Sequence, residues 1–177
     1  MEHYNNIDCD YFIKEVEDKF VLEYEDKIKY IVFFVNKNAP LTNKILEKMS
    51  KYDYVEFDDY FNQSIDNLPV GLKSIILGRY FDKPVDNLPS GLQSLTLGHH
   101  FNQQLNNLPS GLQSLKFGYY YNQQLNNLPS GLQNLALSSK FNHSLDNLPS
   151  GLQTLIISKN YDKPLNNLPT SVEIIRV

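Results

Sequence analysis

The tripeptide Asn-Leu-Pro returns every 20 residues, six times in register, at Asn67, Asn87, Asn107, Asn127, Asn147 and Asn167. An aromatic residue opens each copy, at Phe61, Phe81, Phe101, Tyr121, Phe141 and Tyr161. Five copies are complete and the sixth reaches Val177 three residues short. A fixed period of this length marks a chain wound into stacked coils, because each unit buries its apolar face only against its neighbours. Proline in every copy leaves no room for a regular α-helix. A single copy buries too little apolar surface to offset the ordering of its own backbone, so the copies must stack.

One copy can be read residue by residue. In Leu92-Gln93-Ser94-Leu95-Thr96-Leu97 the alternation predicts a short strand over Ser94–Leu97, with Leu95 and Leu97 on one face. Gly98 ends it, and Phe101 and Leu105 should point inward on the return path. Leu108-Pro109-Ser110-Gly111 suits a type I turn beginning at Leu108, with Pro second and Gly fourth. Two readings of the recurring Asn67, Asn87, Asn107, Asn127, Asn147 and Asn167 are open. They form a ladder inside the turns that satisfies buried backbone groups, which is the expectation taken forward, or they are surface turn formers. Either role is structural.

Residues 1–60 hold 8 Lys/Arg against 14 Asp/Glu, a balance of −6, and residues 61–177 hold 8 against 6, a balance of +2. Neither part has the basic excess of a nucleic-acid binder. The single cysteine, Cys9, forms no disulfide within the chain, and a reducing, cytoplasmic setting is expected. Met1-Glu2-His3 opens polar with no apolar signal segment after it, and the longest apolar run, Ile28–Val35, is a strand length rather than a membrane span. No membrane association is expected.

Residues 1–57 read as an N-terminal cap and 58–177 as the repeat. In the cap, Phe20–Tyr24 and Ile28–Val35 read as two strands joined by Glu25-Asp26-Lys27. Thr42 is placed to cap a helix over Asn43–Ser50, with Ile45, Leu46 and Met49 on one face. Tyr54-Val55-Glu56-Phe57 matches the strand position of the repeat, and Asp10–Val16 reads as a short helix.

Leu112-Gln113-Ser114-Leu115-Lys116-Phe117 resembles the Leu-x-x-Leu-x-Leu of the leucine-rich repeat. Phe61-Asn62, Phe81-Asp82-Lys83-Pro84, Phe101-Asn102, Tyr121-Asn122, Phe141-Asn142 and Tyr161-Asp162-Lys163-Pro164, together with the Asn-Leu-Pro turns, resemble more closely its FNIP variant. The resemblance spans about residues 54–177; two copies keep the Pro of the Ile-Pro half, and the copies run slightly short. It implies a right-handed solenoid, mainly β with helix only in the cap, with one parallel sheet and a non-helical convex side. The family is known from social amoebae and from large DNA viruses that infect them, where the repeats often follow an F-box and hold a target protein. Residues 1–57 lack the Leu-Pro that opens an F-box. The resemblance implies an interaction module in the cytoplasm, the host's if the source is viral.

Columns that vary between copies are free for recognition. The outward strand position reads Glu56, Ile76, Thr96, Lys116, Ala136, Ile156, Arg176. After the strand come Asp59-Tyr60, Arg79-Tyr80, His99-His100, Tyr119-Tyr120, Ser139-Lys140 and Lys159-Asn160. Tyr and Arg anchor interfaces. The candidate partner-binding residues are therefore Arg79, Tyr80, Thr96, His99, His100, Lys116, Tyr119 and Tyr120. The competing reading makes these aromatics partly buried residues that cover the Phe row. His99 and His100, adjacent on an extended segment, should point to opposite sides, and no ligand follows at metal spacing. No serine is singled out as a nucleophile, and the glycines serve turns. The chain reads as a non-enzyme without cofactor or metal, binding a protein. The alternatives are self-association through the C-terminal strand edge and glycan or small-molecule binding at the Tyr/His rim.

Overall fold

The structure, a computed structural model, describes residues 11–17 and 29–35 as backbone and residues 40–177 in full. Strands β1 (Tyr11–Glu17) and β2 (Lys29–Val35) pair antiparallel, Tyr11 opposite Val35 and Glu17 opposite Lys29. Helix α1 (Asn43–Met49) follows, then β3 (Tyr54–Phe57), β4 (Ser74–Ile76), β5 (Ser94–Thr96), β6 (Ser114–Lys116), β7 (Asn134–Ala136), β8 (Thr154–Ile157) and β9 (Glu173–Arg176). The nine strands form one sheet in chain order, and every pairing from β2 onward is parallel. Between residues 58 and 177 the return segments are turns and bends without a helix. This is a leucine-rich-repeat-like solenoid, mainly β.

The cap differs from expectation. The segment Asp10–Val16, read as a helix, contains strand β1 instead, and β1 is the hairpin partner of β2. Its run of Tyr, Phe, Ile and Val suits a pleated strand once a partner supplies the hydrogen bonds. Phe20–Tyr24 lies outside the described residues. Helix α1 starts where Thr42 caps it, the Thr42 hydroxyl accepting from the Ile45 amide at 3.4 Å. It buries Ile45 and Met49 against the first coil.

Inside the coil the columns run unbroken. Leu72, Leu92, Leu112, Leu132 and Leu152 are fully buried, as are Ile75, Leu95 and Leu155. The opening aromatics stack with ring centroids 6.2 Å (Phe61–Phe81), 6.3 Å (Phe81–Phe101), 6.1 Å (Phe101–Tyr121), 6.5 Å (Tyr121–Phe141) and 6.3 Å (Phe141–Tyr161) apart. Phe117 adds a second ring 3.9 Å from Tyr121. The Tyr121 hydroxyl is buried in this row without a hydrogen-bond partner among the described residues, and burial pushes its phenol above the usual range. The Tyr161 hydroxyl, at the end of the row, donates to the His143 carbonyl at 2.9 Å.

The turn sits one residue later than expected. The Leu112 amide donates to the Pro109 carbonyl at 3.1 Å, so Pro is first and Leu fourth, and every copy repeats it, from Leu72 with Pro69 to Val172 with Pro169.

The asparagine ladder is also displaced. Asn67, Asn87, Asn107, Asn127, Asn147 and Asn167 are all exposed, so they are surface turn residues and not a buried ladder. The following Leu turns inward, which leaves the Asn side chain in solvent. Two of them tie neighbouring coils at the surface: Asn87 donates to Asp66 at 3.1 Å and Asn167 to Asp146 at 3.0 Å. With the hydroxyls of Ser64 and Ser144, these bonds hold both carboxyls below their usual range. The real ladder is the residue after each aromatic. The side chain of Asn62 accepts from the Asp82 amide at 2.9 Å, Asp82 from Asn102 at 2.9 Å, Asn102 from Asn122 at 2.9 Å and Asn122 from Asn142 at 3.1 Å. Each bond closes one coil on the next without a strand.

The last coil slips by one residue. Ile174 pairs with Leu155, Ile175 with Ile156 and Arg176 with Ile157. Arg176 therefore stands in the inward column and not, as the 20-residue count implies, in the outward one. Its guanidinium donates to the Tyr161 carbonyl at 3.2 Å.

Candidate functional site

The column one or two residues beyond each strand sets how closely coils approach. This column reads Asp58, Gly78, Gly98, Gly118, Ser138, Ser158. A Cβ on Gly78, Gly98 or Gly118 would collide with the carbonyl oxygen of Asp58, Gly78 or Gly98, respectively. Without that atom the rim backbones of successive coils bond directly. The Tyr80 amide donates to the Asp59 carbonyl at 2.8 Å, His100 to Arg79 at 2.9 Å and Tyr120 to His99 at 3.0 Å. Where serine replaces glycine the pattern stops: the Lys140 amide donates to the Ser138 hydroxyl at 3.1 Å, and Asn160 likewise to Ser158 at 3.1 Å. The glycines thus do more than end strands.

The close approach stacks the rim side chains. Tyr60 stacks on Tyr80 at 5.2 Å and Tyr80 on His100 at 4.9 Å between ring centroids, and Tyr120 follows His100 at 5.1 Å with the ring planes tilted by 39°. A second short row sets His99 on Tyr119 at 5.1 Å with ring planes 8° apart. Tyr119 and Tyr120 meet edge to face at 4.9 Å, which locks the two rows together. Cations close the rows: Arg79 lies 5.7 Å from the Tyr80 ring centroid and Lys140 lies 5.4 Å from that of Tyr119. Tyr60, Tyr80, Tyr119 and Tyr120 remain 60%, 40%, 38% and 46% exposed.

Of the eight candidate residues, the structure gathers Arg79, Tyr80, His99, His100, Tyr119 and Tyr120 on this rim. Thr96 and Lys116 lie beside it on the open sheet face, Thr96 half-buried and Lys116 exposed. Tyr60 and Lys140 complete the rim and were not among the candidates; both stand in the same repeat columns, and extending the columns by one coil at each end finds them. His99 and His100 do not diverge. Their rings lie 5.4 Å apart, because they occupy a turn and not an extended segment. Burial, with Arg79 and His100 beside it, holds His99 below its ordinary value. Among the described residues no cluster of three or more metal-ligating side chains occurs.

Among the described residues no helix is long and apolar enough to cross a membrane. A search of curated proteins finds no match. Among solved structures the chain is similar to CroV588, described as a novel circular LRR protein, with 29% identity and a TM-score of 0.48 over 88% of this chain and 31% of that one. The chain thus spans about a third of the length of that protein. The family model for the FNIP repeat matches residues 61–100 and 101–140. These coils contribute Phe61-Asn62, Phe81-Asp82, Phe101-Asn102 and Tyr121-Asn122 to the aromatic row and the side-chain ladder. Residues 61–140 are FNIP repeats.

Proposed function

We propose that this protein is a non-catalytic binding module that holds another protein on the rim at the C-terminal ends of β3–β6. The repeat scaffold is of the protein-interaction kind. The observation that carries the reading is the Tyr/His ridge, whose tyrosines stay exposed although the inward Leu, Ile and Phe columns beside them are buried. The ridge is rigid before any partner arrives, since ring contacts and backbone bonds fix it from both sides. Prefixed aromatic side chains lose little freedom on binding, which favours affinity.

The stacking counts against a glycan. A sugar ring needs an open aromatic face, and here the faces between Tyr60, Tyr80 and His100 each carry a neighbouring ring at 4.9–5.2 Å. Self-association is the second reading, motivated by Ile174 and Ile175 on β9 and Val177 just after it, all exposed.

The test compares proteins captured from amoeba lysate by wild type, by a Tyr80→Ser/Tyr120→Ser rim variant, and by an Asn107→Ala/Asn127→Ala variant on the return side. Thermal unfolding would confirm that each is folded. A protein retained by wild type and the return variant but lost from the rim variant is the expected outcome. Equal capture by all three would remove the rim as the site. A concentration-dependent dimer abolished by Ile175→Lys, with no captured partner, would favour self-association.

A further inference from the structure

Charge on the coil is segregated. The strand-and-rim stretches 73–80, 93–100, 113–120, 133–140 and 153–160 contain no Asp or Glu. They carry Arg79, Lys116, Lys140 and Lys159 at the rim and on the adjoining sheet face. Among strands β3–β9 only the two end strands carry a carboxylate, Glu56 in β3 and Glu173 in β9, whereas Asp66, Asp82, Asp86, Asp146 and Asp162 stand on the return path. There they are largely engaged: Asp82 accepts from the Asn102 amide, Asp66 and Asp146 accept from Ser and Asn side chains, and Asp162 pairs with Lys163 at 3.5 Å. The four rim and face cations form no ion pair among the described residues. Negative charge meets the rim at its first coil, where Asp58 and Asp59 accept from the Tyr60 and Arg79 amides.

The ring stack adds to this field. Aromatic faces carry the negative lobe of the quadrupole and edges the positive one. Stacking covers the inner faces of Tyr80 and of the His99–Tyr119 pair, and cations cover part of Tyr80 and Tyr119. That surface, with four cations free of ion pairs among the described residues, suits anions.

We propose that the rim binds an acidic segment of a partner protein, laid in extended form across the strands with its carboxylates over Arg79, Lys116, Lys140 and Lys159. The proposal rests on the rim being the recognition surface. Arg79 and Lys159 are four coils apart, roughly 19 Å at the spacing of neighbouring strands, which about six residues of extended peptide span. The acidic first coil sets a direction, because it repels a carboxylate placed beyond Arg79. A single-stranded nucleic acid is also anionic, but its affinity for protein surfaces draws on bases stacking on free aromatic faces, and the inner faces of this row are taken.

The experiment measures fluorescence polarisation of labelled peptides of alternating Glu and Ala, of Gln and Ala, and of Lys and Ala, with labelled oligo(U) of similar length as a fourth probe. The protein is wild type, Lys116→Glu/Lys159→Glu on the rim side, or Asp146→Lys on the return side. The Glu peptide is expected to bind best, to weaken about ten-fold or more in the rim-side variant, to be unchanged in the return-side one, and to weaken with salt. A Gln peptide that binds equally well, or charge reversal without effect, overturns the proposal, and so does tighter binding of oligo(U). If the Tyr80→Ser/Tyr120→Ser variant still loses a captured protein while the Glu peptide fails, the rim stands and the acidic ligand falls. If that variant loses nothing, the rim itself falls.

Discussion

A methyl group on Gly98 would fall against the carbonyl oxygen of Gly78 in the coil before it. The only relief is to part the two coils, which breaks the His100-to-Arg79 backbone bond and unstacks Tyr80 from His100. Gly98→Ala should therefore cost about 2–3 kcal/mol, the range of an overpacked core. Gly111, also without positive φ, has its nearest prospective neighbour at 3.7 Å, so Gly111→Ala should be neutral or stabilise by about 0.5 kcal/mol. Urea unfolding of the two variants checks the contrast, and equal effects would mean that the glycine column does not set the coil spacing.

Tyr121 stands in a column otherwise filled by Phe up to Phe141, with its hydroxyl buried and unpartnered. Tyr121→Phe removes a group that is not satisfied and should stabilise by about 1 kcal/mol. Tyr121→Ala should cost about 3–5 kcal/mol through the cavity it leaves. A loss of stability in Tyr121→Phe would reveal a partner for the hydroxyl.

The same phenol makes the fold sensitive to alkali. Burial raises its folded value above the ordinary 10.0, so the unfolded chain ionises first. Its contribution is complete below pH 10.0 and is lost as pH rises through the folded value. Wild type should lose stability more steeply above pH 10.0 than Tyr121→Phe, read from melting temperatures across an alkaline series.

The side-chain ladder separates two kinds of asparagine. Asn102 accepts from the Asn122 amide, so Asn102→Ala should cost about 1 kcal/mol. Asn107 is exposed and its side chain makes no hydrogen bond among the described residues, so Asn107→Ala should stay within about 0.5 kcal/mol of wild type. Chemical denaturation ranks them, and a larger effect at Asn107 would restore the Asn-Leu-Pro ladder.

His99 should titrate below its ordinary 6.5, chiefly because it is partly buried and secondarily because Arg79 and His100 are cationic neighbours. Arg79→Gln should raise its midpoint partway, leaving it still depressed. Because the folded value is lowered, its contribution to stability is present above pH 6.5 and is lost as pH falls through the folded value. Imidazole proton shifts followed by NMR report both, and a midpoint above 6.5 would contradict the burial.

The coil was legible because its signals are local and repeated. Leu95 and Leu97 alternate, Pro109 forbids a helix, and six in-register copies outvote any single deviation. What escaped depended on one-residue offsets or distant partners. Whether Asn102 or Asn107 bonds the next coil turns on which way a side chain leaves a bend, and period alone is silent on that. The turn starts at Pro109 and not at Leu108 for the same reason. The strand β1 takes its state from β2, which is remote in sequence. His99 and His100 lie together because the chain turns there, and adjacency in sequence does not announce that turn. Of the rim, the residue types were readable from the varying columns; its stacking needed the glycine contacts, which exist only between coils.

Many bonds that close the solenoid join a residue to its counterpart 20 positions away, as from Gln113 to Gln93 and from Asn122 to Asn102. Excision or duplication of one whole copy among the regular coils therefore leaves these donors facing acceptors of the same kind. Such an event alters no contact type, yet it moves Arg79 and Lys140 nearer or farther by one strand spacing, about 4.8 Å. Tandem duplication of nearly identical DNA would then act as a length gauge, resetting the span of whatever lies along the rim in fixed increments while the fold stays indifferent.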